Sequence, residues 1–147
     1  IDFIINETEY KRGYTFNKKT KKKISAIIII HVWGNAASFS NLKSLCEKRN
    51  IKIIEDASES MGTFYKKGTF KGKHTGTVGS LGCLSFNGNK IITSGGGGMI
   101  LTNNKVTEKK ARYYINQSKD DSFNFIHNSI ISNSFKPFPN LKKTSIF

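Results

Sequence analysis

Two stretches carry residue types whose chemistry calls for an explanation. In "SLGCLSFNGNKIITSGGGGMILTNN", Ser80 to Asn104, a short apolar segment runs into Lys90, which sits among small polar residues ahead of four consecutive glycines. An exposed loop is the commoner place for any single lysine. A lysine at the rim of a largely apolar sheet, however, is partly desolvated, which favours its neutral amine and lets it attack an aldehyde. In "IKIIEDASES" an apolar segment ends in the pair Glu55 and Asp56. In open α/β sheets ligands sit beyond the carboxyl ends of the strands, so Asp56 is either a site carboxylate or the cap of a short helix over "ASESMG".

The elements around these residues follow from periodicity. "ISAIIIIHVWGN" (24–35) is a near-continuous apolar run ending in a Gly-Asn turn, as expected of a parallel strand covered on both faces. "SFSNLKSLCEKRN" (38–50) places Phe39, Leu42, Leu45 and Cys46 at helical spacing, with Ser38 or Ser40 as N-cap. Residues 51–56 read as a strand, completing a βαβ unit with a right-handed crossover. Residues 81–86 and 97–102 read as two further strands, and 106–118 as a helix with Asn103 or Asn104 near its start. The fold class is therefore α/β, with a mixed, mostly parallel sheet flanked by helices.

Other glycine-rich motifs fail on spacing. A phosphate-binding GxxxxGK[ST] loop would need a hydroxyl where Ile91 stands, and no GxGxxG occurs in "GTVGSLG" or "GGGGMI". The 147 residues carry a formal charge of +14, but the one dense basic cluster is Lys18 to Lys23, and a chain rich in Lys, Asn, Ile and Phe fits a biased coding sequence better than a nucleic-acid surface. Cys46 and Cys83 form no CxxC pair, no apolar run suits a membrane span, and no cluster of His, Cys and carboxylates suggests a metal. These features point to the cytoplasm. His31 either borders a site or is a capped strand-end histidine, and His74 reads as a solvated loop residue.

"IIEDASESMG", "GTVGSLGCLSFNGNKIITSGGGGMILTNN" and "KKARYYINQSKDD" closely resemble consecutive blocks of the DegT/DnrJ/EryC1/StrS family of PLP-dependent nucleotide-sugar aminotransferases, over Ile24 to Asn128. The resemblance implies a fold-type I large domain and pyridoxal 5'-phosphate as cofactor. It makes Lys90 the residue joined to the cofactor as a Schiff base, Asp56 the partner of the pyridinium nitrogen, and Glu59 a polar residue beside the ring. Ser85 becomes a phosphate ligand and Asn87 a neighbouring pocket position. Relatives that deoxygenate sugars carry histidine where Lys90 stands, so the lysine favours amino transfer. The implied reaction moves an amino group, from a donor such as glutamate, to a 4-keto-6-deoxy nucleotide sugar, in a homodimer.

The resemblance lapses at both ends. A phosphate-binding turn of the family would precede Ile1, and from Ser129 the chain reads "SIISNSFKPFPNLKKTSIF" instead of the family's continuation. The expectation is a partial large domain over 1–128 with a divergent tail over 129–147, whose independent catalysis is open. The alternative is a non-catalytic remnant, or a weak basic nucleic-acid binder.

Overall fold

The computed structural model of the chain describes residues 1–115. The expected junction at 128/129, the tail, and the end of the last expected helix lie outside them. The chain divides into two compact units, Ile1–Asn103 and Asn104–Phe147.

The first unit opens with elements that sequence periodicity does not foretell. A short helix α1 (Asp2–Asn6) leads into an antiparallel sheet of β1 (Thr8–Lys11), β2 (Tyr14–Asn17) and β3 (Lys23–Ile24). Lys11 pairs with Tyr14, leaving Arg12 (φ 53°) and Gly13 (φ 80°) as a two-residue turn whose positive φ values match the twist of the strands. The lysine cluster fills the loop from β2 to β3 and the first position of β3. Its backbone is turned by Asn17, whose Oδ1 accepts the N–H groups of Lys19 (2.9 Å) and Thr20 (2.8 Å), leaving the lysines at solvent.

The second sheet is mixed, as expected, with strands in chain order: β4 (Ala26–Ile30), β5 (Lys52–Asp56), β6 (Leu81–Ser85) and β7 (Gly98–Leu101). The first three are parallel and β7 returns antiparallel. Helix α2 (Ser40–Lys48) crosses from β4 to β5. Neither expected serine caps it: the N-cap is Phe39, with no side-chain cap bond. Phe39 is buried and meets the Phe70 ring at 5.0 Å, so packing of an aromatic anchor sets the helix start.

Cross-strand pairing assigns the faces. Ile27 and Ile29 of β4 and Ile53 of β5 turn toward the core, with Phe39, Cys46, Ile51, Phe70 and Val78. The alternate residues Ala26, Ile28 and Ile30 lie on the opposite face, level with Ile54, Asp56, Leu81 and Cys83. This face is open: Ile28 is 64% and Ile30 56% exposed, so coverage of β4 on both faces does not hold among the described residues. Two isoleucines side by side on an edge strand favour self-association. The double variant Ile28→Lys, Ile30→Lys should shift the 147-residue chain toward monomer in size-exclusion chromatography. Its stability in urea should change by no more than about 1 kcal/mol, as for exposed sites generally; unchanged self-association would show that another surface drives it.

In the second unit, α3 (Lys105–Ile115) starts where expected. Asn104 Oδ1 accepts the Thr107 N–H at 2.9 Å, an N-cap, and Glu108 pairs with Lys105 (3.2 Å) and Arg112 (3.1 Å) one turn either way. No helix among the described residues is long and apolar enough to cross a membrane.

Candidate active site

The carboxyl edge of the second sheet gathers the residues singled out above. Asp56 ends β5 and Ser85 ends β6; because Asp56 pairs with Cys83, Asp56 and Ser85 share one face of two adjacent parallel strands. The backbone around Asp56 is fixed from both sides. Its carbonyl accepts the His31 N–H (2.9 Å), and the next N–H, of Ala57, donates to the Cys83 carbonyl (2.9 Å). The helix that Asp56 would have capped under the second reading does not form: residues 57–62 run through turns, and among the described residues Asp56 Oδ1 accepts the Ser58 N–H two residues on, at 3.1 Å.

Glu59 follows in these turns and joins two distant segments. Its Oε2 accepts the Trp33 backbone N–H at 2.9 Å, and its Oε1 lies 3.7 Å from Lys90 Nζ. Lys90 is thus no free loop lysine; its side chain is 16% exposed although Asn87, Gly88 and Asn89 before it are open to solvent. A turn presents it: the Lys90 N–H donates to the Asn87 carbonyl (3.0 Å), and the Asn87 N–H to Ser85 Oγ (3.4 Å). The structure brings Lys90 and Glu59 together and sets Asp56 and Ser85 on one edge, while the Asn87 side chain is exposed.

The glycine run shapes the entry into β7. At Gly95, Gly96 and Gly97 an added Cβ would meet nothing, whereas at Gly98 it would lie 2.7 Å from the Leu84 carbonyl of the paired strand. Gly95 (φ 81°) and Gly97 (φ 96°) supply left-handed turns into β7, and Gly98 admits the β6–β7 pairing.

Directly behind Asp56, on the core face, is a polar cluster that the sequence reading missed. Glu55 is wholly buried and accepts four donors: Oε1 takes the N–H groups of Val78 (2.6 Å) and Gly79 (2.5 Å), and Oε2 those of Gly76 (2.9 Å) and His31 Nε2 (2.9 Å). Burial pushes the carboxyl pKa up, but the His31 ring and the three backbone donors outweigh it and hold it below its ordinary value. The other ring nitrogen, His31 Nδ1, accepts the Ala37 N–H at 3.1 Å, so Nε2 carries the proton given to Glu55. His31 is therefore a buried structural residue. His74 is not simply solvated either: half-buried, it accepts the Gly62 N–H at 2.8 Å and stands edge-on to Phe64. Among the described residues no group of three or more His, Cys, Asp or Glu could hold a metal ion.

Known proteins resemble this chain in sequence and fold. The sequence pattern of the DegT/DnrJ/EryC1/StrS aminotransferase family matches residues 14–136. GDP-perosamine synthase of Vibrio cholerae is 34% identical over 100 residues, covering 68% of this chain and 26% of that protein. A DegT/DnrJ/EryC1/StrS aminotransferase from Brucella abortus superposes on 75% of this chain and 29% of its own, with TM-score 0.64 and 26% identity. The E. coli GDP-4-keto-6-deoxy-D-mannose-3-dehydratase with bound hydrated PLP superposes on 67% of this chain and 24% of its own, with TM-score 0.57 and 26% identity. The chain spans less than a third of the length of the curated relatives it matches. With residues 14–136 matched by the family's sequence pattern, and three quarters of its length superposing on a solved member, the chain belongs to the DegT/DnrJ/EryC1/StrS aminotransferase family.

Proposed function

We propose that this chain carries part of the cofactor-binding core of a PLP-dependent nucleotide-sugar aminotransferase. The reaction moves an amino group, with glutamate as donor, to a 4-keto-6-deoxy nucleotide sugar for polysaccharide synthesis, in a full-length homodimer. The observation that carries the reading is the placement of an amine, two carboxylates and a hydroxyl at one sheet edge, with Lys90 Nζ 3.7 Å from Glu59 and with Asp56 and Ser85 on adjacent strand ends. The relatives supply the substrate class, through a GDP-perosamine synthase and a GDP-keto-sugar dehydratase solved with PLP.

The donor set suits that cofactor. PLP supplies an electron sink when bound. Lys90 Nζ would hold its aldehyde carbon and afterwards move a proton at the substrate carbon. The Asp56 carboxylate, whose Oδ1 is anchored by the Ser58 N–H, would keep the pyridine nitrogen protonated. Glu59 would orient Lys90 and face the ring, Ser85 Oγ would donate to the phosphate, and Asn87 would line the same pocket. The large-domain limits of 1–128, with 129–147 as a separate tail, belong to this proposal.

Asp56→Asn tests it, because asparagine keeps the turn to Ser58 and removes only the charge. A charge-assisted hydrogen bond of the stronger kind is worth about 1.5–3 kcal/mol, so PLP affinity, followed by absorbance titration, should fall on the order of 10- to 100-fold. Thermal melting of the cofactor-free chain should stay nearly unchanged. Undiminished PLP affinity would reduce Asp56 to a turn residue and remove the central carboxylate from the reading.

A further inference from the structure

The wholly buried His31 belongs to no expected cofactor contact, yet it lies at the base of the segment that orients Glu59. Residues 31–37 leave β4, turn through Trp33 (φ 50°) and Gly34 (φ 79°), and come back to the core at Ala37. The imidazole spans the two ends of this turn. Its Nε2 is fixed by Glu55 (2.9 Å), and its Nδ1 accepts the Ala37 N–H (3.1 Å), while Tyr65 Oη donates to the Ala37 carbonyl (2.9 Å). The crest is tied as well, by Thr63 Oγ1 to the Gly34 carbonyl (2.9 Å). A backbone in the left-handed region at a non-glycine residue costs energy and persists only where its surroundings impose it. Here the result is that one N–H, that of Trp33, points at Glu59 Oε2 (2.9 Å), whose other oxygen faces Lys90 Nζ.

We infer that His31 is a positioning residue for Lys90, acting by closing the 31–37 turn so that the Trp33 N–H holds the Glu59 carboxylate beside the lysine amine. The inference deepens the proposed function and rests on it for its catalytic meaning. The geometry itself involves no cofactor, so it can be tested without one. A carboxylate held against the lysine head engages it in an ion pair and shields it from an incoming acyl group; losing its orientation should free the amine.

The test is the rate of Lys90 acetylation by acetic anhydride at fixed pH, read by peptide mass spectrometry on the full chain and normalised to the exposed Lys67 in the same digest. An ion pair open to solvent on its Glu59 side is worth up to about 1 kcal/mol, so Glu59→Gln should raise the rate about threefold. His31→Gln can still donate to Glu55 but cannot reach Ala37; it should raise the rate by a similar factor, and the double variant should exceed neither. His31→Asn, whose Oδ1 can sit where Nδ1 does, should return the rate toward that of the parent chain. A role confined to pairing Glu55 makes the opposite forecast, with His31→Gln behaving like the parent and His31→Asn not. That pattern would overturn the inference, as would multiplying effects in the double variant or no response to Glu59→Gln. Failure of PLP to trap at Lys90 in a parent chain that shows the expected acetylation pattern would sink the proposed function and leave the positioning geometry standing.

Discussion

Lys90→Ala should abolish the PLP adduct that borohydride traps on this chain at substoichiometric cofactor, while the far-UV circular dichroism stays almost unchanged. Both halves follow from the geometry. The chain holds 24 Lys and Arg residues, many on open loops, so excess PLP would label several of them, and limiting cofactor is needed to expose a preference. That preference should fall on the amine whose stem is largely covered and beside which Asp56 and Ser85, on adjacent strand ends, would hold the cofactor's ring nitrogen and phosphate. Folding, by contrast, asks little of this side chain: its partner Glu59 is 40% exposed, and such pairs contribute about 0–1 kcal/mol. The turn that carries Lys90 is closed by backbone N–H groups, which alanine retains. Undiminished trapping in the variant would remove Lys90 from the chemistry whatever the family pattern suggests.

The residues that announced this site were legible because their signals are local. The apolar runs over 51–56, 81–86 and 97–102 became β5, β6 and β7, and the periodic stretches became α2 and α3, each within a few residues at the ends described. Errors arose where distant atoms decide. Ser38 and Ser40 have the right chemistry for a cap, but burial of Phe39 determines where α2 begins. The "AIIII" run has the composition of a strand covered on both faces, whereas only its Ile27 and Ile29 face the core. Glu55 was passed over in favour of Asp56 because its partners come from residues 76–79 and from His31, 21 to 24 positions away. One signal could have found it. Successive strand residues point to opposite faces, so in a terminal Glu-Asp pair only one can reach an open edge, and the other must find donors in the core.

That burial makes Glu55→Gln the most damaging single change expected in the sheet. The carboxylate is an acceptor at both oxygens, each taking two donors; an amide offers one acceptor oxygen and turns an NH2 toward two N–H groups that then have no partner. Each buried donor left without an acceptor costs about 1–3 kcal/mol, so two of them remove a large part of the 5–15 kcal/mol that holds a typical domain together. Urea unfolding at neutral pH should therefore show Glu55→Gln largely unfolded in conditions where the parent chain is folded. The pH dependence carries its own sign. Because the folded carboxyl pKa lies below its ordinary value of 4.5, the stabilisation is fully present above that value and is lost as pH falls through the lower, folded pKa. The stability gap between parent and variant should thus be constant from neutrality down to about pH 5 and shrink in more acid solution, since protonation does to the parent what the amide does to the variant. A gap that is small at pH 7, or that widens in acid, would mean that the four donors find other acceptors when Glu55 is lost, and the His31 and Gly76–Gly79 segments would then be held by packing and not by this carboxylate.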